Sequence, residues 1–313
     1  MGYHPLGDTL VRLQHLHLLL AIAQTGSLRA SADLLNVTQP ALTKALRQLE
    51  EEFGAALVLR SPKGVRLTAP GEMLAARAST ALREIERARE EVDWHLRHAH
   101  AQVTIGVSPV AAILLAPGAL ARFSVRWPQV GLRVRDTLYP RALEQVRAGE
   151  LDIALGPLPM EGFGRDLLVH PLFDSRIIIA ARRSHPLAHV TSLAALADAD
   201  WVLSGPAGGP GDPRNLRYET EFAGTPKVRL ECESFATLLA LMPRMDVVGI
   251  MPKGFFDRHG PAMDLIELPI ADALPSTTIH ALYRADAPLT VPAQRLLDAF
   301  VAEAAEQQGV ASP

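Results

Sequence analysis

The spacing of apolar residues changes near residue 100, and this change limits the fold more than any other feature of the chain. Up to Phe53 apolar residues recur every three or four positions, with breaks at Thr25-Gly26 and Asn36-Val37-Thr38, which predicts three helices. Beyond residue 100 short β-like segments alternate with helical ones, which favours βαβ units and a parallel sheet. A chain of 313 residues can hold a small helical domain and a larger α/β domain.

A hairpin separates these two textures. The β-like segments 55–60 and 65–68 flank a turn that contains Pro62 and Gly64, which predicts a hairpin or wing. Helices are expected between the strands of the α/β part, and the last helix is predicted from Val291 to about Gln307. The strands predicted there are 102–108, 131–137, 151–156, 175–181, 201–204, 227–232, 247–251 and 277–284.

A long helix is predicted from about Ala69 to about Arg97, with Thr68 as its N-cap. Along it a set of apolar residues is spaced alternately four and three positions apart, which is the repeat of a coiled-coil seam and requires a partner helix. The alternative is a single amphipathic helix that lies on its own domain. The set consists of Leu74, Ala78, Ala81, Ile85, Ala88 and Val92.

The third predicted helix has one polar face suited to DNA. Thr38 can cap it and Pro40 fits its first turn, while Leu42, Ala45, Leu46 and Leu49 form an apolar stripe on the other side. Side chains near the start of a recognition helix meet base edges and phosphates in the major groove. The polar face consists of Gln39, Thr43, Lys44 and Arg47.

Charges around this helix agree with that interpretation. Glu50, Glu51 and Glu52 would be repelled by phosphate, so we expect the C-terminal end to point away from DNA. The alternative is that the polar residues are only the solvated face of an amphipathic helix. Cations of the wing that could reach the DNA backbone or minor groove are Arg60, Lys63 and Arg66.

The segment SLRASADLLNVTQPALTKALRQLEEEFGAALVLRSPKGVRLTAPGE, residues 27–72, resembles the N-terminal signature of LysR-type transcriptional regulators. The strong resemblance covers about residues 11–95. Two positions depart from the family pattern, since Val58 stands where Phe is usual and Pro70 where Ala is usual. The resemblance implies that the DNA is contacted by Thr38, Gln39, Pro40, Thr43 and Lys44, with Arg60 and Arg66 on the wing.

The expected architecture is therefore an α/β chain with an N-terminal winged helix-turn-helix and a linker helix. The resemblance further implies a two-lobed, periplasmic-binding-protein-like effector domain and a homodimer that can assemble into a tetramer. The predicted domains are a DNA-binding domain at 1–68, a linker and dimerisation helix at 69–98, and an effector domain at 99–313. In the effector domain, lobe I covers about 99–174 and 264–313, and lobe II covers about 175–263.

Three serines lie where predicted strands give way to helices, at Ser108, Ser204 and Ser234. Ligands of open α/β sheets bind beyond the carboxyl ends of strands, so these positions favour a small anionic or carbonyl-bearing effector. The alternative for each serine is an ordinary helix cap. Further residues expected around the effector are Pro109, Thr137, Tyr139, Phe235, Met251 and Pro252.

Three segments extend the resemblance to a subgroup of the family. Residues 108–123 (SPVAAILLAPGALARF), 134–140 (VRDTLYP) and 232–243 (CESFATLLALMP) are similar to regulators that respond to aromatic sulfonates or related acids. The partners expected are operator DNA, a small organic acid and a second copy of the chain.

Composition limits the remaining functions. A net charge of −3 argues against a protein that coats nucleic acid indiscriminately. Residues 1–70 hold 7 Lys and Arg against 5 Asp and Glu, a balance of +2, and residues 99–313 hold 19 against 23, a balance of −4. The single cysteine, Cys232, cannot form an intramolecular disulfide, and neither a signal peptide nor a long apolar segment is evident, so we expect a cytoplasmic protein.

Motifs for catalysis and for cofactors are not evident. The loop 205–211 lacks the Lys-Ser/Thr ending of a phosphate loop, and no GxSxG motif occurs. His95, His98 and His100 are better explained by a solvated helix end than by a metal site. Cys232, without a neighbouring His, is expected to be a buried or pocket-lining thiol. We expect neither enzyme activity nor a cofactor; the rival is an α/β enzyme or small-molecule binder with a helical oligomerisation module.

Overall fold

The computed structural model describes residues 12–61, 64–97, 101–158, 163–216 and 225–310. Two of the histidines discussed above, His98 and His100, and the wing residue Lys63 lie outside the described residues, as does the side chain of His95. The chain divides into two compact units, Met1–Val92 and Asp93–Pro313. In the described residues no helix has both the length and the apolar character needed to cross a bilayer.

The first unit has the three helices, the hairpin and the long helix that the sequence predicts. Thr38 starts the third helix, because its hydroxyl accepts a hydrogen bond from the Ala41 amide at 3.4 Å. That helix ends at Gly54, whose φ of 62° is accessible to glycine at little cost. The elements are α1 (Leu13–Thr25), α2 (Leu28–Leu34), α3 (Gln39–Phe53), β1 (Val58–Ser61), β2 (Gly64–Leu67) and α4 (Ala69–Arg97).

The start of α4 is fixed against the first strand of the hairpin. The Thr68 hydroxyl accepts from the Gly71 amide at 3.0 Å and donates to the Ala56 carbonyl at 2.7 Å. A Cβ at Gly71 would lie 2.0 Å from the Leu57 carbonyl oxygen, so only glycine allows this approach. The hairpin and the first turn of α4 therefore form one packed piece.

The two halves of α4 differ in what they contact. In the N-terminal half Leu74, Ala75, Ala78 and Leu82 pack on the apolar core formed by α1, α2 and α3. In the C-terminal half the seam positions Ala88 and Val92 are exposed, Val92 by 56%, and so is Ala81, just before the midpoint of the helix. The amphipathic alternative thus describes the first half, while the second half keeps an apolar row on its surface.

The second unit is a two-lobed α/β domain. Its last helix begins at Val291, as predicted, and its strands include all eight that the sequence predicts, with shifted ends. The elements are β3 (Gln102–Val107), α5 (Pro109–Leu114), α6 (Ala116–Arg126), β4 (Gly131–Asp136), α7 (Arg141–Arg147), β5 (Ile153–Pro157), β6 (Leu167–Arg182), β7 (Asp200–Ser204), β8 (Lys227–Cys232), α8 (Phe235–Leu241), β9 (Val248–Pro252), α9 (Lys253–His259), β10 (Leu265–Glu267), β11 (Ser276–Arg284) and α10 (Val291–Val310).

One long strand joins the two lobes. The strands run in the order β4-β3-β5-β11-β6-β9-β7-β8, with β10 also paired to β6. Residues 167–176 of β6 pair with β11, and residues 177–182 pair with β9 and β10. Lobe I therefore contains β3, β4, β5, β11 and the first part of β6, and lobe II contains the rest of the sheet. By this pairing β10 belongs to lobe II, a few residues past the predicted return at 264.

Two predictions about this sheet were wrong. A parallel sheet was predicted, but β11 and β6 are antiparallel to their neighbours, so the sheet is mixed. Residues 167–174 were not predicted as a strand, although they form the first half of β6 and include Pro171. A shift of register between Ile279 and His280 lies opposite Pro171 and accommodates its missing N–H.

Between 183 and 199 the chain forms a 3-10 turn at Leu193–Leu196 and no α-helix.

Candidate functional site

The first candidate site is the exposed face of α3. Leu42, Leu46 and Leu49 are at most 1% exposed and pack inward, which turns the polar residues of the helix toward solvent. Gln39, Pro40, Lys44 and Arg47 are exposed and Thr43 is half-buried. Together these five residues line an open depression on the first two turns of the helix. Thr38, which caps α3, is exposed beside it.

Charge on this face is positive at its start and balanced further along. The Lys44 ammonium has no carboxylate within 4 Å among the described residues, whereas Arg47 Nε lies 2.9 Å from Glu51 Oε1 on the solvent side. Both partners of that pair are more than 60% exposed, so water screens it and the arginine can exchange partners. Lys44, which has no carboxylate partner among the described residues, is therefore nearer the N-terminus of α3 than Arg47 is.

The three glutamates at the end of α3 have separate structural tasks. Glu50 Oε1 accepts from the Leu57 amide at 2.8 Å and from the Val58 amide at 3.3 Å, which holds the first wing strand against the helix. Glu51 pairs with Arg47, and Glu52 lies 4.0 Å from the buried His15 ring. From the sequence, all three glutamates were expected only to repel phosphate. The structural role of Glu50 was not predicted, because the sequence pattern gives no signal for it.

The hairpin presents its two described arginines on opposite faces. In the antiparallel register Arg66 is opposite Leu59 and Arg60 is opposite Val65. Cross-strand partners share a face, so Arg66 and Leu59 point one way and Arg60 the other. Both arginines are exposed, and Leu59 is 61% exposed beside Arg66. The structure therefore makes both arginines accessible, although not side by side.

The second candidate site is a cleft between the two lobes of the second unit. The cavity has a volume of about 80 Å³, and it opens to solvent. Its floor follows the sheet from the end of β3 across β5, β11, β6 and β9 to β7. Lobe I contributes Ser108, Pro109, Val110, Leu138, Tyr139, Pro157, Ser175, Thr277 and Ile279, and lobe II contributes Ile177, Ser204, Pro206, Pro210, Gly211, Phe235, Ile250 and Pro252.

Six of the nine predicted effector residues line this cleft and three do not. The Thr137 hydroxyl donates to Gln145 Oε1 at 2.9 Å, and Met251 lies in the core of lobe II. The Ser234 hydroxyl accepts from the Thr237 amide at 3.3 Å as an ordinary helix cap. The six residues in the lining are Ser108, Pro109, Tyr139, Ser204, Phe235 and Pro252.

A glycine- and proline-rich loop closes one side of the cleft. It runs from Gly205 to Gly211, and the buried Asp212 holds it by accepting from the Gly208 amide at 2.7 Å and from Arg214 Nε at 2.8 Å. Burial alone would raise the pKa of Asp212, but the hydrogen bonds from Arg214 and Gly208 outweigh it, so the pKa lies below its ordinary value. The loop is thus a fixed wall.

The cysteine lies next to the cleft without lining it. Cys232 ends β8 opposite Ser204, is buried, and its thiol donates to the Ser234 carbonyl at 3.2 Å. Across the described part of the chain, His, Cys, Asp and Glu residues form no group of three or more that could hold a metal ion.

A winged helix-turn-helix unit followed by a two-lobed ligand-binding unit defines a DNA-binding regulator with a sensor domain. Residues 13–72 match the model of the bacterial regulatory helix-turn-helix protein, lysR family, and residues 96–305 match the LysR substrate binding domain. The second match alone covers more than half of the 313 residues. The chain belongs to the LysR family of transcriptional regulators.

Individual relatives agree along most of the chain. The HTH-type transcriptional regulator TdcA of Escherichia coli K12 is 26% identical over 281 residues, which cover 88% of this chain and 87% of that protein. The uncharacterized HTH-type transcriptional regulator YdcI of the same strain is 28% identical over 295 residues, covering 93% and 95%. The solved structure of full-length CbnR complexed with its target DNA shares the fold, with a TM-score of 0.68 and 19% identity over 95% of this chain and 99% of that one.

Proposed function

We propose that this regulator binds operator DNA with the first turns of α3 and with the wing. The observation that carries the proposal is the exposed depression lined by Gln39, Pro40, Thr43, Lys44 and Arg47, with Thr38 at its edge. Its donors can reach base edges, and Lys44 with the exposed Arg60 and Arg66 can meet phosphates. CbnR, a protein of this fold, has been solved with its target DNA, which supports DNA binding as the role of such a chain.

The part of α4 from Ala81 onward is proposed as the dimer seam. Ala81, Ile85, Ala88 and Val92 keep the alternating spacing that a second helix requires, and three of them are exposed within the first unit. A dimer gives two recognition helices for two half-sites. Tetramers, which the family resemblance implies, would be built from such dimers.

The inter-lobe cleft is proposed as the effector site, with Ser108, Pro109, Tyr139, Ser204, Phe235 and Pro252 in its lining. The protein would act by binding and not by catalysis, and it would act in the cytoplasm, where operator DNA is found. Boundaries near residues 68 and 98 for the DNA-binding, linker and effector parts fit these roles.

A mobility shift on the upstream region of the protein's own gene tests the DNA site. Gln39→Ala should lower the ratio of specific to random DNA binding about 5- to 150-fold, because a bidentate contact to adenine is worth about 1–3 kcal/mol of discrimination. Arg66→Ala should weaken both kinds of binding equally and lower the slope of log affinity against log salt by about 1 for each phosphate that the variant no longer neutralises.

Gln48→Ala is the matched control, since Gln48 is exposed on α3 but does not line the depression. Unchanged specificity in Gln39→Ala, or an equal decrease in Gln48→Ala, would remove the recognition role of this face. The fold of each variant is checked by its thermal transition.

A further inference from the structure

The cleft has no charged side chain among the described residues that line it. Of its 17 lining residues, five are prolines, five carry a hydroxyl group, six are other apolar residues and one is Gly211. Carboxylates, imidazoles, ammonium groups and guanidinium groups are all missing from this set. A sensor site built for an organic acid would ordinarily offer a cation or several free N–H groups to the acid.

Two cations that come close to the lining along the chain are already paired. Lys253 Nζ, next to the lining residue Pro252, lies 2.6 Å from Asp257 Oδ1 and 2.9 Å from Glu267 Oε2. Arg214, which follows the closing loop, is 2.8 Å from the buried carboxylate of Asp212. Neither cation lines the cleft, and each is already paired with a carboxylate of the protein.

Strand geometry keeps a third cation out of the cleft. Arg176 lies between the lining residues Ser175 and Ile177 on β6, and because successive side chains alternate across a strand, it faces the other side of the sheet, where it is exposed. The neighbouring helix α5, Pro109–Leu114, is only six residues long, so its N-terminus supplies little positive potential.

What the cleft offers instead is buried hydroxyl groups. Ser108 is 1% exposed, and its oxygen accepts from the Ala111 amide at 3.3 Å, which leaves its hydrogen available for a ligand. Ser175 is 5% exposed, and its hydroxyl has no hydrogen-bond partner among the described residues. Both hydroxyls suit a ligand that carries an acceptor oxygen and brings an apolar body to the proline and isoleucine walls.

We propose that the effector is an uncharged molecule with a small apolar body and an accepting group such as a carboxamide, ester or ketone. An ionised carboxylate would lose its water shell here and meet no countercharge among the described lining residues, whereas a neutral carbonyl loses much less hydration and still receives the serine hydroxyls. This class differs from the organic acid that the sequence predicts. The inference rests on the proposed role of the cleft as effector site.

Matched neutral and acidic probes test the charge of the effector on the full-length protein. The pairs are benzamide and benzoate, cyclohexanecarboxamide and cyclohexanecarboxylate, and hexanamide and hexanoate. At five to ten times its Kd an amide should raise the Tm by about 2–5 °C, and its acid should have no effect at the same concentration. Stabilisation by the acids alone, or by no member of the panel, would overturn the proposal.

A variant that adds a cation to the cleft tests the same point by changing the charge of the protein instead of the charge of the probe. Thr277→Lys places an ammonium group in the lining, and Thr277→Gln adds similar length without charge. The lysine variant should bind benzoate about tenfold more tightly than the glutamine variant does, and the glutamine variant should still prefer benzamide. If the lysine variant keeps the preference for benzamide, charge does not set the selectivity of the cleft.

These outcomes separate the inference from the proposed function. Binding of acids alone would leave an effector site of the opposite charge class. Failure of operator binding in the mobility shift would instead concern the DNA-binding role, whichever probe the cleft accepts.

Discussion

The exposed face of α3 and the inter-lobe cleft differ in charge, in burial and in how their residues are distributed along the sequence. The α3 face comes from nine consecutive residues, 39–47, carries Lys44 and Arg47, and is open to water. The cleft gathers residues from 108 to 279, carries no charged side chain among its described residues, and holds its serines Ser108 and Ser175 almost fully buried. One surface is suited to a long polyanion and the other to a small ligand.

If both proposed sites are functional, charge alone does not mark a functional site. Each exposed cation that contacts a phosphate raises the affinity for a polyanion, because the contact releases counterions. The affinity of a buried cleft for a small ligand depends on shape and hydrogen bonds, and an unpaired charge there would lower it. The comparison therefore predicts opposite responses of the two sites to the same perturbation.

Salt should separate the two sites most strongly. A dimer can bring Lys44, Arg47, Arg60 and Arg66 of both chains to DNA, so raising salt from 50 to 200 mM should lower operator affinity about 10³- to 10⁵-fold. Benzamide binding to the cleft should change less than about twofold over the same range, because benzamide is uncharged and the described lining residues carry no charged side chain. Anisotropy of labelled operator and calorimetry with benzamide measure the two responses. Equal salt dependence would remove the distinction between the two sites.

Breaking the dimer should affect DNA binding next most strongly. Ile85→Asp places an unpaired charge in the apolar seam, which should yield monomers and lower operator affinity about 10²- to 10⁴-fold as the two-site advantage disappears. Ala76→Asp is the control, because Ala76 is exposed and lies outside the seam. Sedimentation at micromolar concentration gives the oligomeric state, and a dimeric Ile85→Asp variant would contradict the seam.

A serine substitution should give the smallest change, confined to the cleft. Ser108→Ala should weaken effector binding about 2- to 12-fold, the value of one neutral hydrogen bond, and leave operator affinity unchanged. Ser234→Ala is closely matched, since each hydroxyl caps a short helix by accepting an amide at 3.3 Å but only Ser108 lines the cleft. Calorimetry that finds both variants equally impaired would count against this assignment.

Local patterns predicted the first unit well because its function and fold are both local. Helical spacing, the Thr38 cap and the turn residues fixed α1–α4 and the hairpin within a few residues. The proposed recognition residues lie close together on one helix, so a single segment contains the whole polar face. Two tertiary features could not be predicted. Glu50 accepts hydrogen bonds from the start of the wing strand, and Arg60 and Arg66 lie on opposite faces of the hairpin.

The cleft could be predicted only in part because it is assembled by topology. Ser108 and Ser204 end parallel strands, and the rule for such strand ends identified both. Ser175 and Thr277 belong to the antiparallel strands β6 and β11, which that rule does not cover. Ser234 follows β8 in the same way as Ser108 follows β3, yet the sequence could not show that its hydroxyl only caps α8.

The long strand β6 also decides how the two lobes can move. The chain passes from lobe I to lobe II near residues 176–177, within a strand whose two halves are hydrogen-bonded to different neighbours. Backbone that is paired in this way can bend and twist by small angles, but it cannot act as a freely rotating swivel. The return passage, between Glu267 and Ser276, contains no strand, although the Leu268 amide donates to the Ile179 carbonyl and the Ala271 amide to the Thr191 carbonyl, each at 2.8 Å. Closure around an effector should therefore be a shallow flexing of a continuous sheet, with amplitudes far below those of two domains that swing on open linkers.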